Sequence, residues 1–191
     1  ILDEGNRLFL QRNFEQAIEY YDKILDEDPK HISSLNNKGY ALSKLKDFTN
    51  AIKYYDIALK ICPDDLSVLI NKISSFRKQG NLIEALLICD NILKNNKNYN
   101  IALYHKERIL FSMGKFNESI SCCNSILEDY PDNGDVLFDK ASNSAMLSNF
   151  DDALNLLERA ISQGIQYKIK AKKSKSFENL FDNIRFQNLI S

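Results

Sequence analysis

The residues best suited to catalysis are few and widely separated in this sequence. His31 and His105 are its only histidines, and acidic pairs occur at Asp64–Asp65 and Asp151–Asp152. Neighbouring carboxylates can act as a general acid and base, but both pairs stand at the start of a segment with helical periodicity. Carboxylates at such positions cap free N–H groups and interact favourably with the helix dipole. We therefore predict no catalytic residue, and we expect that the chain is not an enzyme.

The four cysteines, Cys62, Cys89, Cys122 and Cys123, are the remaining reactive side chains. No two of them form a C-x-x-C pair, and adjacent cysteines bridge to each other only with strain. All four occupy apolar positions of helical patterns, where a free thiol behaves as a small hydrophobic side chain. We predict reduced core cysteines, no metal site and no cofactor. Reduced thiols favour a reducing compartment, so the expected location is cytoplasmic.

The composition argues against several classes of function. The 191 residues include 25 basic and 26 acidic ones, for a net charge of −1, so there is no excess of positive charge of the kind that binds nucleic acid. No apolar run approaches the roughly 18 residues that cross a bilayer, so no membrane insertion is expected. Only six glycines and three prolines are present, which is typical of a helical chain with few tight turns.

A period of 34 residues runs through the chain. One position is leucine in four successive repeats, at Leu35, Leu69, Leu103 and Leu137. A bulky position is followed three residues later by a small one, in the pairs Phe14 and Ala17, Phe48 and Ala51, Leu82 and Ala85, Phe116 and Ser119, and Phe150 and Ala153. Apolar spacings of three and four within each repeat predict two amphipathic helices. Because one such hairpin cannot bury its own apolar faces, neighbouring hairpins must stack.

These residues resemble the tetratricopeptide repeat (TPR), a helix-turn-helix unit of 34 residues. The resemblance rests on Gly39, Leu42, Phe48, Ala51, Tyr55, Ala58 and Pro63, and on Gly5, Leu8, Phe14, Ala17, Tyr21 and Pro29. It implies an all-α fold, a right-handed α-solenoid of about five TPR repeats over residues 1–167. The expected repeats are 1–31, 32–65, 66–99, 100–133 and 134–167. A C-terminal helical cap is expected over 168–191, where SFENLFDNIRFQNLI could cover the last hairpin.

Some positions depart from the family pattern. Ile73, Glu107 and Ala141 replace the glycine at which the two helices of a repeat cross, and Cys89 and Cys123 replace an aromatic residue. These changes predict looser or altered hairpin packing in the third and fourth repeats.

The resemblance also implies where a partner would bind. In the family, the first helix of each repeat lines a concave groove that holds extended or helical peptides. The corresponding residues of this chain are Asn6, Phe9, Asn37, Tyr40, Lys44, Asn71, Arg77, Lys78, Tyr104, Arg108, Phe111, Phe138 and Asn143. Aromatic and arginine side chains often carry interface energy, and arginine binds carboxylates through two hydrogen bonds. The expected partner is therefore a protein or peptide segment with acidic and apolar residues.

The leading function is that of a protein–protein interaction scaffold or adaptor that binds a partner segment in this groove. An alternative is the recognition arm of a larger multidomain enzyme whose catalytic domain is absent from this chain, because the sequence opens within a repeat at Ile1. Self-association through an uncapped N-terminal hairpin also stays open. Four lysines recur with the same period, at Lys38, Lys72, Lys106 and Lys140. They could form a track that binds an anionic partner, but lysine stems that cover apolar helix surface explain the pattern as well.

Overall fold

The computed structural model describes residues 1–191, which form helices and no strands. The helices are α1 (Leu2–Leu10), α2 (Phe14–Glu27), α3 (Ile32–Lys44), α4 (Phe48–Ile61), α5 (Leu66–Gln79), α6 (Leu82–Asn95), α7 (Asn100–Ser112), α8 (Phe116–Asp129), α9 (Gly134–Met146), α10 (Phe150–Gln163), α11 (Gln166–Lys173), a 3₁₀ helix (Lys175–Leu180) and α12 (Ile184–Ile190). The chain divides into two compact units, an N-terminal unit of Ile1–Ile92 and a C-terminal unit of Leu93–Ser191.

In the N-terminal unit, each helix from α1 to α4 packs against the next one in the chain, and α3 also contacts both α1 and α5. Two glycines of this unit lie in close contact with a tyrosine of the next helix. A Cβ atom added to Gly5 would lie 2.8 Å from the ring of Tyr21, and one added to Gly39 would lie 2.6 Å from the ring of Tyr55. Both tyrosine rings are buried, so the glycines are needed because each ring fills the space that a side chain would take.

In the third and fourth repeats, other residues replace the glycine of the first helix and the tyrosine of the second helix. Ile73 of α5 and Cys89 of α6 are fully buried, as are Glu107 of α7 and Cys123 of α8. A larger residue on the first helix therefore accompanies a small thiol on the second, the reverse of the glycine and tyrosine pairing. An altered crossing geometry in these repeats stays a prediction.

In the C-terminal unit, α7 to α10 pack in chain order, the 3₁₀ helix lies on α9, and α12 contacts α10 and α11. Phe177 of the 3₁₀ helix lies 5.6 Å from the ring of Phe138 and 5.8 Å from that of Phe186, between ring centroids. Phe177 and Phe186 belong to the same buried cluster as the apolar residues of α9 and α10. Helix α11 begins at Gln166, two residues before the predicted start of the cap, and the boundaries of the repeats and cap stay predictions.

Polar side chains cap or occupy the first turn of several of these helices. Asp65 Oδ1 accepts a hydrogen bond from the backbone N–H of Val68 at 3.1 Å, at the start of α5. His31 Nδ1 accepts one from the backbone N–H of Ser34 at 3.2 Å, at the start of α3. Asp151–Asp152 lies in the first turn of α10. The acidic pairs therefore lie at helix starts, as predicted, and one of the two histidines is a helix cap.

Two lysines of the predicted ladder are engaged within the protein. The ammonium of Lys38 donates to the Asp22 carboxylate and, at 2.6 Å, to the Tyr54 hydroxyl. Lys72 donates to Asp56 Oδ1 at 2.5 Å. Each of these lysines extends from the first helix of one repeat to the second helix of the repeat before it. These ion pairs tie successive hairpins together, a role that the sequence pattern did not indicate.

All four cysteines are free thiols, and three of them are buried while Cys62 is partly exposed. No group of three or more histidine, cysteine, aspartate or glutamate side chains is arranged to hold a metal ion. None of the helices combines the length and apolar character that a bilayer crossing requires.

Candidate functional site

Asparagine amides link the first helices of the N-terminal unit. Asn6 Oδ1 accepts a hydrogen bond from Asn37 Nδ2 at 2.9 Å and another from the Tyr21 hydroxyl at 3.0 Å. Asn71 Nδ2 donates to Asn36 Oδ1 at 2.9 Å in the same way between α5 and α3. The Asn6 amide nitrogen and the Asn37 amide oxygen make no bond to the protein. Both groups are thus open to hydrogen bonds from outside the protein.

An aromatic pocket adjoins these amides. The rings of Phe9 and Tyr40 stack with their centroids 5.0 Å apart, and Phe9 also packs edge-on against Phe14 at 5.2 Å. The pocket has a volume of about 250 Å³, and Phe9, Tyr40, Asn6, Asn37, Tyr21 and Leu10 line it. Leu10 is 82% exposed, an unusual position for an apolar side chain at a concave site. The pocket has the size and chemistry to receive one apolar side chain.

Lys44 stands beside this pocket, and Lys78 lies within range of the charges of Lys44 and Arg77. The Lys44 ammonium lies 4.8 Å from the centre of the Tyr40 ring. Burial lowers the pKa of Lys78, and the positive charges of Lys44 and Arg77 lower it further. The repulsion among these three groups means that the N-terminal unit gathers positive charge here, although the chain as a whole is close to neutral. We call Asn6, Phe9, Leu10, Asn37, Tyr40, Lys44, Arg77 and Lys78 the N-terminal surface.

In the C-terminal unit, Arg108 is bound within the protein. Its Nη2 donates to the Tyr104 hydroxyl at 2.5 Å and to Asp139 Oδ2 at 3.3 Å, and its guanidinium lies 4.5 Å from the Tyr104 ring centre. Burial raises the pKa of Asp139, and the Arg108 charge and hydrogen bond oppose this rise. Phe111 packs edge-on against Phe116 at 5.5 Å. Arg108 therefore has a carboxylate partner of its own and is not a free carboxylate receptor.

Two residues predicted for the groove lie in the interior instead. Asn143 is fully buried, and its Nδ2 donates to Glu107 Oε1 at 3.2 Å and to the backbone oxygen of Asp139 at 2.9 Å. Phe138 is only 8% exposed and belongs to the core of α9 and α10. The family pattern assigned both to an open surface, but the buried Glu107 and the packed C-terminal helices occupy that side of α9. Neither side chain can reach a partner in this structure.

The family's groove positions did not include Tyr130. It follows α8, directly before Pro131, and it is 56% exposed. Only first helices supplied the predicted groove residues, so a residue that follows a second helix was not considered. The signal that could have found it is an aromatic residue in a turn among acidic residues, at Asp129 and Asp132.

Comparisons with known proteins agree with this fold. A family model described as tetratricopeptide repeat matches residues 2–65, and no curated protein matches the chain. YrrB, described as a TPR protein with an unusual peptide-binding site, is 20% identical with a TM-score of 0.70, over 91% of this chain and 90% of YrrB. A tetratricopeptide repeat protein from Parabacteroides merdae is 17% identical with a TM-score of 0.83, over 98% of this chain and 75% of that one. MamA is 17% identical with a TM-score of 0.73, over 91% of this chain and 93% of MamA.

Identities this low show likeness of fold. The helical hairpins, the glycine and tyrosine crossings and the structural neighbours all describe the same architecture, which is one of successive helical hairpins. The tetratricopeptide repeat family model matches residues 2–65, and the chain as a whole has a fold similar to that of tetratricopeptide repeat proteins.

Proposed function

We propose that the N-terminal surface binds a peptide segment of a partner protein, with an apolar side chain in the aromatic pocket and acidic side chains beside it. The observation that carries this proposal is the Lys44 ammonium 4.8 Å from the Tyr40 ring of the aromatic pocket, with Lys78 close enough that the charges of Lys44 and Arg77 add to the effect of burial in lowering its pKa. A carboxylate placed among these cations would relieve their mutual repulsion and form charge-assisted hydrogen bonds. The peptide-binding site named for YrrB supports the same class of ligand.

The pocket would supply the other part of the affinity. Burial of one apolar side chain against Phe9, Tyr40 and Leu10 would contribute about 1.5–3 kcal/mol. The unpaired groups on Asn6 and Asn37 offer a donor and an acceptor, which matches the two polar groups of a peptide backbone. A short segment with a large apolar residue followed by glutamate or aspartate therefore fits the N-terminal surface in both size and charge.

The test uses the full chain and a short Gly/Ser peptide that carries one Leu–Glu–Glu sequence, with binding measured by amide shifts in ¹⁵N NMR. We expect the Lys44→Glu and Lys78→Glu double variant to lose about tenfold or more in affinity, and its binding to lose most of its salt dependence. Leu10→Ser should also weaken binding, because it removes an apolar side chain that lines the pocket. Since Leu10 is exposed, its loss does not disturb the core.

The matched control reverses the same number of charges elsewhere. Lys53→Glu with Lys60→Glu changes two exposed lysines of the second helix α4 and should leave the affinity as it is. A Leu–Gln–Gln peptide should bind more weakly than Leu–Glu–Glu. Equal affinity of the parent chain and the Lys44→Glu, Lys78→Glu variant would disprove the proposal.

A further inference from the structure

A second and larger cleft lies in the C-terminal unit, between the start of α7, the end of α8 and the start of α9. Its volume is about 490 Å³, and its apolar walls are Ile101, Tyr104, Ile126, Tyr130 and Val136. Ile126 and Val136 are buried and form the floor, whereas Ile101 is 49% exposed and Tyr130 is 56% exposed. Large apolar side chains that are half exposed around a concave site are typical of an interaction surface. We call this site the Tyr130 cleft.

The rim of the Tyr130 cleft is acidic. Asp135 lines the cleft, and a neighbouring hollow of about 400 Å³ is lined by Tyr130, Asp129 and Asp132. Asp135 Oδ1 lies 2.8 Å from Lys170 Nζ, while the Asp129 carboxylate has a hydrogen bond only from an asparagine amide, that of Asn100, at 3.3 Å. Asp129 therefore carries a negative charge that no cation of the chain balances.

The other charged groups near the rim leave it negatively charged. Arg159 reaches the Asp132 carboxylate at 3.8 Å, close to the limit for an ion pair. Burial raises the pKa of Tyr104, Asp139, Asp135 and Glu107 raise it further, and only Arg108 opposes them. Arg108 is bound to Asp139 and Lys170 to Asp135, so these cations are already paired and the Asp129 charge at the rim stays unbalanced.

We infer that the Tyr130 cleft binds a basic segment of a partner protein, one that presents an arginine or lysine beside a branched aliphatic residue. The aliphatic side chain would pack between Ile101 and Tyr130 over the apolar floor. The cationic head would reach Asp129 while its methylene stem covers the tyrosine ring, since arginine and lysine combine an apolar stem with a charged end. A cation over a tyrosine face also gains from the ring's quadrupole.

This surface differs in charge from the N-terminal surface, so the two would select segments of opposite character. The inference does not rest on the proposed function, because no residue is shared between the two sites. An acidic segment, which the N-terminal surface fits, would meet repulsion from Asp129, Asp132 and Asp135 at the Tyr130 cleft. One chain could therefore hold two different partner segments at once, as a scaffold requires.

The test titrates the full ¹⁵N-labelled chain with short Gly/Ser peptides that carry a single Ile–Arg, Ile–Glu or Ile–Gln pair. We expect Ile–Arg to bind most tightly, with amide shifts confined to residues 100–104 and 126–136. Tyr130→Ser should weaken Ile–Arg binding about fivefold or more, through the loss of apolar contact and cation–π attraction. Asp129→Asn should weaken it about threefold or more and reduce its salt dependence.

Matched controls separate this inference from the proposed function. Asp151→Asn removes one exposed carboxylate of α10, and Leu10→Ser removes one exposed apolar side chain of the N-terminal surface; neither should affect Ile–Arg binding. Equal binding of Ile–Arg and Ile–Glu, shifts outside the two ranges, or an unchanged affinity in Tyr130→Ser would each overturn the inference. Self-association that increases with concentration and disappears in Tyr130→Ser would assign the cleft to a second copy of this chain and would overturn it too.

Discussion

Asn143 of α9 donates a hydrogen bond from Nδ2 to Oε1 of Glu107 on α7, at 3.2 Å, in the interior of the C-terminal unit. Ser119 adds a second donor to the same oxygen at 3.0 Å. Glu107 Oε2 and Asn143 Oδ1 are both buried and have no hydrogen-bond partner. Two acceptors without a donor favour a protonated carboxyl, because the added proton turns an acceptor into a donor. Glu107 is therefore a buried acid whose neutral form suits its surroundings.

This relationship predicts a decrease in stability with rising pH. Burial, and then repulsion by Asp139, raise the pKa of Glu107 to about 7, against the opposing hydrogen bonds from Ser119 and Asn143 and the charge of Arg108. The unfolded chain has the ordinary pKa near 4.5, so the folded state binds more protons between these values. The free energy of unfolding should fall as pH rises from about 4.5 to 7, by on the order of 2–3 kcal/mol, and then level off.

Urea unfolding followed by circular dichroism at several pH values measures this effect. Glu107→Gln keeps an acceptor for Asn143 and Ser119 and adds a permanent donor, so it should remove most of the pH dependence between pH 5 and 7. At pH 8 the variant should be more stable than the parent chain. Parallel pH profiles for the two proteins would contradict a neutral Glu107.

The crossing of Gly39 and Tyr55 gives a second prediction. An alanine at position 39 would place its Cβ 2.6 Å from the ring of Tyr55, which is fully buried and cannot withdraw. The overpacking should cost about 1–3 kcal/mol, which exceeds the helix propensity of about 1 kcal/mol that alanine gains over glycine. In a Tyr55→Cys background the overlap is gone. Gly39→Ala should then stabilise the protein by the helix propensity of alanine over glycine, about 1 kcal/mol.

A double-mutant cycle measures this sign change directly, since the coupling energy isolates the contact. The natural chain already carries the exchanged pairing at Ile73 and Cys89, both of them fully buried. If Gly39→Ala destabilises the chain equally in both backgrounds, the ring of Tyr55 is not the cause. The control is Gly80→Ala, where a positive φ of 91° and open space predict a cost of about 1 kcal/mol that does not depend on Tyr55.

The periodic features were the ones that the sequence could predict. Leu35 and Ala51 recur at 34 residues because each hairpin makes the same contacts with its neighbours, so the helix pairs followed from the pattern. Polar contacts between repeats do not share this property, since each depends on one pair of side chains. Nothing in the period indicated that Asn143 would turn inward to a carboxyl at position 107.

A third prediction concerns the partly buried ion pair between Lys38 and Asp22. Its ammonium donates to Asp22 and Tyr54, and the side chain lies in the interior between two repeats. Lys38→Ala removes these bonds and the packing of the stem, so we expect a loss of about 1–3 kcal/mol in the free energy of unfolding. Lys53→Ala, on the exposed face of α4, should cost less than about 0.5 kcal/mol. Urea titrations of both variants provide the comparison, and equal stabilities would show that the Lys38 contacts contribute little.

The last prediction concerns the C-terminal helices. The ring of Phe177 is fully buried and contacts both Phe138 of α9 and Phe186 of α12, so it joins the 3₁₀ helix to the core of the C-terminal unit. Phe177→Ala should lower the free energy of unfolding by about 3–5 kcal/mol, because it leaves a cavity where three rings met. Phe181→Ala is the matched control, since Phe181 is 40% exposed and its one ring contact is with Phe186, and its cost should be clearly smaller. Amide hydrogen exchange of α9 and α10 would then rise in Phe177→Ala and change little in Phe181→Ala; similar exchange in both variants would mean that the C-terminal helices do not protect the fifth hairpin.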